Sequence, residues 1–376
     1  MEKSERLLSL DVFRGITIAG MILVNNPGTW NTIYPPLRHA EWNGCTPTDL
    51  IFPFFLFIVG VAIPFAIGKR IEQGDGDKKI ILQISRRSII LFILGMLLHS
   101  LPFGLIGDNF NLNTVRIPGV LQRIAIVYFI TGMLFLKTKY KTLVYVGVTL
   151  LILYWLVMTL IPVPEIGTAN LDPATNLAAW LDRNLLGRHI WQETKFWDPE
   201  GILSTIPALA TSLIGILTGV WLKSSKDKIT KTVWLFVFGC LCTAAGYVWS
   251  GWFPINKNLW TSSYVLYTGG IALLFLGICY WFIDVRDSNW WIKPFQVYGL
   301  NAITVYFLSE LSSKILYVIK IPSGPESVSL STFLFINSFL QFLDPINASL
   351  LWAIFNVLIW LGLMWILYNK KIYIKV

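Results

Sequence analysis

Charge is what the chain has least of. Only 14% of its 376 residues are Asp, Glu, Lys or Arg, whereas 55% are hydrophobic and the mean hydropathy is +0.62. A soluble domain needs roughly a quarter of its residues charged to clothe its surface, so composition excludes that class. Cysteine is scarce too. Cys45, Cys240, Cys242 and Cys279 lie in or beside apolar runs without C-x-x-C or Cys/His spacing, which argues against a disulfide framework and a zinc site. No metal is expected. There is no Gly-rich phosphate loop, Walker sequence, kinase signature or G-x-S-x-G elbow. No convincing internal repeat is visible, which weighs against inverted-repeat transporters. The N-terminus, MEKSERLLSLDVFRG, has no A-x-A-like cleavage site before its apolar run, so the first helix is expected to stay in the protein. The net charge of +9 comes from Lys and Arg spread over short loops, so no nucleic-acid partner is expected.

What is present is a series of apolar segments long enough to span a bilayer. Ten are expected: 9–26, 49–68, 87–105, 117–136, 142–162, 202–222, 232–252, 262–283, 295–319 and 348–368. An eleventh piece, 331–344, is too short to span and reads as a re-entrant or interfacial helix. The fold class is therefore all-α, a polytopic membrane protein of about ten transmembrane helices, one domain over 1–376, in contact with membrane lipid. Of the 30 Lys and Arg, Arg14, Arg123 and Lys314 fall inside segments. Arg38, Arg116, Arg183, Arg188, Lys195, Lys257 and Lys320 fall on one side, and all the rest fall on the side of the N-terminus. The positive-inside rule then makes both termini cytoplasmic and puts the stretch 37–48 outside.

That stretch carries the chemistry. LRHAEWNGCTPTDLIFPFFLFIVG, 37–60, sets His39, Trp42, Asn43, Cys45 and Asp49 at the mouth of a membrane helix, where polar groups cost free energy unless they have a task. Of the three histidines, His99 ends an apolar span and reads as an interfacial polar tip, and His189 reads as solvated or near headgroups. His39, flanked by Arg38 and Glu41, is the candidate reacting group. Arg14 and Arg123 share the membrane interior with Asp11 and Glu310, and read either as internal ion-pair partners or as anchors for a phosphate. The long outer connection, 163–201, contains TNLAAWLDRNLLG. Here Leu177, Trp180, Leu181 and Leu185 share a helical face, with Thr175 or Asn176 as cap and Gly187 as stop. This predicts a helix on the membrane surface or a lid over a cavity. IWQETKFWDPEG follows, in which Trp191, Phe196 and Trp197 read either as an interfacial belt or as a wall for a sugar ring beside Glu193, Asp198 and Glu200.

LDVFRGITIAGMILVNN followed by HAEWNGCTPTDLIFPFFLFIVG resembles the start of the catalytic region of the heparan-alpha-glucosaminide N-acetyltransferase family. GVLQRIAIVYF, DPEGILSTI, NKNLWTSSYV, GLNAITVYF and the basic end YNKKIYIKV match in order, so the resemblance covers nearly the whole chain. It implies transfer of acetyl from acetyl-CoA to the amino group of a terminal glucosamine or related amino sugar across a membrane. His39 falls on the family's active-site histidine and Asn25 on the asparagine ending the preceding helix. The connection between them is a few residues longer than in the animal enzyme, and Asn26 is adjacent. The family's large lumenal N-terminal domain is not matched, so a bacterial inner membrane is expected rather than a lysosomal one.

An amino sugar is protonated near neutral pH and must lose a proton before attacking a thioester. His39 is the expected general base, with Asn25 or Asn43 donating to the oxyanion and Asp49 or Glu41 orienting the imidazole or holding the ammonium. An acetyl-imidazole intermediate on His39 is the competing route, and Cys45 is a weaker candidate acyl carrier. Arg14, Arg123, Gln122 and Asn301 are the cofactor-binding candidates. Trp42, Glu41, Asp198, Glu200, Asn258, Trp260 and Glu310 are the substrate-binding ones. A sugar transporter and an O-acyltransferase of envelope glycans are the alternatives, and a homodimer is compatible with the reading.

Overall fold

The computed structural model describes residues 7–101, 112–323 and 326–374. The last part of the expected segment 87–105 lies outside these residues, as do Lys3, Arg6 and Lys375. The chain is helical almost throughout, as a bilayer demands of any backbone without water to satisfy its amides. The helices are α1 (Leu8–Asn25), α2 (Ile51–Glu72), α3 (Asp77–Ser100), α4 (Val120–Lys137), α5 (Tyr140–Leu160), α6 (Leu177–Leu186) and α7 (Thr205–Lys223). They continue with α8 (Lys228–Trp249), α9 (Ser262–Tyr280), α10 (Lys293–Leu300), α11 (Ala302–Val318), α12 (Leu330–Phe335) and α13 (Pro345–Asn369). A two-stranded antiparallel ribbon, β1 (Lys320–Ser323) and β2 (Glu326–Ser329), joins α11 to α12.

Among the described residues, nine helices are long and apolar enough to cross a membrane. The remaining expected span, 295–319, is two shorter helices meeting at Asn301, whose backbone (φ −121°, ψ 34°) leaves the helical region. The Asn301 side chain holds that break in place. Its Nδ2 donates to Ile372 O at 3.2 Å and its Oδ1 accepts from Ile374 N at 2.9 Å, tying the C-terminal residues to the joint. Leu330–Leu340 is the expected short apolar helix.

α1, α2 and α7 are the most enclosed helices, and α5, α8 and α13 expose most of their Leu, Ile, Val and Phe side chains, as befits a rim bathed in hydrocarbon. Between lipid-solvated helices close packing replaces the hydrophobic effect, and glycine permits it. A Cβ on Gly15 would overlap the carbonyl oxygen of Phe295, and one on Gly299 would overlap that of Asp11, so α1 and α10 touch backbone to backbone. The same holds for Gly60 and Gly215 between α2 and α7. These contacts fix α1 and α2, whose outer ends frame the candidate site.

Candidate active site

The turn that enters α2 is built around one carboxylate. Asp49 sits in a short 3-10 turn, Pro47–Leu50, and closes a capping box with Thr46. It accepts from the backbone N–H of Thr46 (3.0 Å) and Ala40 (3.0 Å) and from the Thr46 hydroxyl (3.1 Å). It is 1% exposed, and the Tyr264 hydroxyl donates to its backbone carbonyl at 2.6 Å. The His39 Nδ1 lies 2.7 Å from Asp49 Oδ1. A carboxylate can only accept, so Nδ1 carries the proton and Nε2 is left with its lone pair. His39 is 47% exposed and lines a cavity of about 810 Å³.

Lys257 completes the cluster. Its Nζ is 3.0 Å from Nδ1 and 3.2 Å from Nε2 of His39, and 3.8 Å from Asp49 Oδ1. Burial pushes the Lys257 ammonium below the usual lysine range, against the opposing pull of Asp49 and Glu200. The sequence showed Lys257 only as an outer-loop cation in a matched block. Its loop is placed by Asn43, whose Oδ1 accepts from Asn256 Nδ2 at 3.1 Å, and by Gly44 N donating to Ile255 O at 2.7 Å. Asn43 itself does not line the cavity. Cys45, beside this cluster, has its thiol pushed up to about 12 by burial and by Asp49, so it is a poor nucleophile.

Further along the same cavity, Asn25 Nδ2 donates to Glu310 Oε1 at 2.8 Å, joining the end of α1 to α11. Lys314 lines the cavity and donates to Leu98 O at 2.5 Å, and Tyr306 lines it too. Asn26 does not line it; its Oδ1 accepts from Ser313 and its Nδ2 donates to Ile22 O at 2.8 Å. His99, expected as an interfacial tip, is a lining residue with Nδ1 2.7 Å from Arg116 O. His189 is partly buried, with Nδ1 2.8 Å from Val115 O.

The outer wall comes from the long connection. Arg116 forms a bidentate pair with Asp198 (2.8 and 2.6 Å), reaches Glu200 at 2.5 Å, and stacks over Trp191 at 5.5 Å. Burial opposes its charge, but Glu200 and Asp198 outweigh that and hold its pKa above the usual arginine value. Trp191, Glu193, Trp197 and Glu200 line the cavity, whereas Phe196 is exposed. Trp42 stands behind Trp197, edge to face at 5.1 Å, with Nε1 donating to Leu171 O. The predicted helix is α6, capped by Asn176, which accepts from Ala179 N at 2.9 Å, and stopped at Gly187 (φ 55°). The protein-facing side differs from the expected stripe. Ala178, Ala179 and Asp182 are buried and Leu185 is exposed, because small alanines let the helix approach and Asp182 accepts the N–H of Ile202 at 2.9 Å.

The cavity thus gathers Asn25, His39, Glu41, Glu200, Asn258 and Glu310 from the expected set, with Asp49 directly behind His39. It does not include the four residues expected to bind cofactor. Arg14 pairs with Asp11 at 3.1 Å and contacts Gly299 O, on the face of α1 packed against α10. Arg123 is fully buried, donates to Gly201 O and Ser204 Oγ, and stacks over Trp260 at 5.1 Å. Gln122 lies behind His99, at 3.4 Å from its Nδ1, and Asn301 serves the helix joint. Trp260 is likewise outside the cavity, its ring enclosed by Arg123, Phe52 and Tyr264, and Asp198 is buried under Arg116. Lys257, Lys314, Arg116, Tyr306 and His99 are the lining groups that sequence reasoning did not place. Arg116 and Lys257 are far along the chain from His39. Lys257 and Tyr306 lie in matched blocks and Lys314 is a cation inside an apolar segment, but none of these signals points to the cavity.

A family model described as "Domain of unknown function (DUF5009)" matches residues 6–242. Human heparan-alpha-glucosaminide N-acetyltransferase is 32% identical over 356 residues, covering 81% of this chain and 53% of its own. The mouse protein of the same name is 31% identical over 359 residues, covering 82% of this chain and 54% of its own. The chain spans about half the length of these relatives.

Proposed function

The chain belongs to the family described as a domain of unknown function (DUF5009), and from that premise we propose that it is a membrane-embedded N-acetyltransferase. Its donor is acetyl-CoA and its acceptor the amino group of a terminal glucosamine or related amino sugar. The relatives' names support the reaction class, and one observation carries the assignment to this site. An imidazole with its Nδ1 held 2.7 Å from a buried carboxylate keeps its basic lone pair on Nε2, beside Lys257 Nζ at 3.2 Å, in a cavity of about 810 Å³. That volume suits a sugar ring together with a thioester arm.

In this reading the sugar ammonium gives up a proton to His39 Nε2, directly or through water, and its nitrogen attacks the thioester carbonyl. Asp49 holds the imidazole in the required tautomer and stabilises it as it becomes cationic. Asn25, fixed by Glu310, supplies an amide N–H to the carbonyl oxygen as charge develops there. Glu41, Glu193 and Asn258 supply polar contacts, and Trp191 and Trp197 supply ring faces, for the sugar. Arg116 and Lys314 replace Arg14 and Arg123 as the cations available to the donor. The Lys/Arg asymmetry supports a cavity open to the non-cytoplasmic side, with both termini cytoplasmic.

The test is product identification after incubating purified protein with labelled acetyl-CoA and glucosamine. N-acetylglucosamine is expected. An O-acetylated sugar, or no transfer in protein shown by thermal melting to be folded, contradicts the proposal.

A further inference from the structure

We propose that Lys257 is the acid of this site: it protonates the thiolate that leaves the thioester and is recharged by His39. The inference rests on the acetyl-transfer reading above. The base alone does not complete the reaction, because an alkyl thiolate has to be expelled, and a thiol of ordinary pKa about 8.5 leaves more easily as the thiol than as the anion. A proton donor is needed near the reacting carbonyl, and that carbonyl must lie close to His39.

Lys257 meets the requirements of position. Its Nζ is 3.2 Å from His39 Nε2, the nitrogen that receives the amine's proton, so a proton can pass between them without solvent. It lines the cavity, unlike Asp49, and so can reach a ligand. The ionisable groups facing it are His39, Asp49, Cys45 and Glu200. Asp49 is within 3.8 Å and offsets its charge while His39 is neutral. Burial lowers the ammonium toward the range of the thiol it would serve.

The step balances. The sugar's ammonium proton first leaves through His39 Nε2 to solvent, which restores the neutral imidazole and leaves a neutral amine. The C–N bond then forms as the C–S bond breaks, the amine's remaining acidic proton goes to His39 Nε2, and a Lys257 proton goes to the sulfur. The imidazolium then returns a proton to the neutral Lys257 amine. Product amide and free thiol leave with both side chains restored, and the only co-reactant is the acetyl thioester.

Leaving-group chemistry separates an acid from a structural cation or an oxyanion donor. Lys257→Met cannot donate a proton, and Lys257→Arg keeps the charge but does not release a proton at these pH values. Single-turnover transfer to glucosamine is measured for wild type and both variants with two donors, acetyl-CoA and an acetyl aryl thioester whose thiol is far more acidic. Both variants are expected to lose about 100-fold or more with acetyl-CoA and less than about fivefold with the aryl thioester. Equal losses with the two donors, or an arginine variant as active as wild type with acetyl-CoA, would overturn the inference while leaving the acetyl-transfer reading intact. Absence of transfer by the wild-type protein from either donor would overturn both. Either variant suffices if the other does not fold.

Discussion

At the scale of residues, the account turns on which imidazole nitrogen is free. Asp49 removes Nδ1 from the reaction and leaves Nε2 to act, a tautomer choice set by a carboxylate that three donors besides His39 already hold rigid. Asp49→Asn tests this. The amide oxygen of asparagine can still accept from the backbone N–H of Thr46 and Ala40 in place of the carboxylate oxygen, so the entry turn of α2 should survive. Without the charge the imidazole loses both its orientation and its stabilisation as a cation. Transfer is expected to fall by about 10²- to 10⁴-fold with little change in melting temperature. Wild-type turnover in that variant would remove Asp49 from the mechanism.

At the scale of elements, the outer connection is held to the bundle by buried polar contacts, and one of them titrates. Burial raises the Asp182 carboxyl from its ordinary value near 3.8 to about 6. The unfolded chain ionises it at the lower value, so its contribution to stability is fully present below about pH 4 and is lost as pH rises through about 6. Asp182→Asn does not titrate. The melting temperature of wild type minus that of the variant should therefore fall between pH 4 and pH 7, and a difference constant over that range would contradict the assignment. Nine spans were legible in the sequence because each is a continuous apolar run, and the bounds of α6 were legible through its cap and stop. Two features were not. The break at Asn301 depends on the C-terminal residues folding back onto it, and α6 buries Ala178, Ala179 and Asp182 because of what lies beneath it. Periodicity reports neither. The same limit applies to the site: His39, Asp49 and Asn25 lie within one short stretch at the start of the chain, whereas Arg116, Lys257 and Lys314 come from separate elements. Arg123 and Arg14 looked like ligand anchors because burial depth alone cannot distinguish a cavity from a packed interface.

At the scale of the whole molecule, the apolar helices form a ring of lipid-facing surface around a polar cavity, and cations concentrate in the loops on the side of the N-terminus. The cavity mouth at Glu41 should therefore face away from the cytoplasm. In a variant with all four cysteines replaced and Glu41→Cys added, a membrane-impermeant maleimide should label intact spheroplasts. A cysteine placed at Lys226 should label only after lysis. The reverse pattern would invert the molecule and with it the side on which the acceptor waits.

The central claim, that the His39 imidazole takes the proton from the acceptor amine, is tested most directly by single-turnover acetyl transfer to glucosamine in His39→Ala, with acetyl-CoA binding measured in parallel. The account predicts a loss of at least about 100-fold in transfer with donor binding retained. Transfer at the wild-type rate by that variant would contradict it.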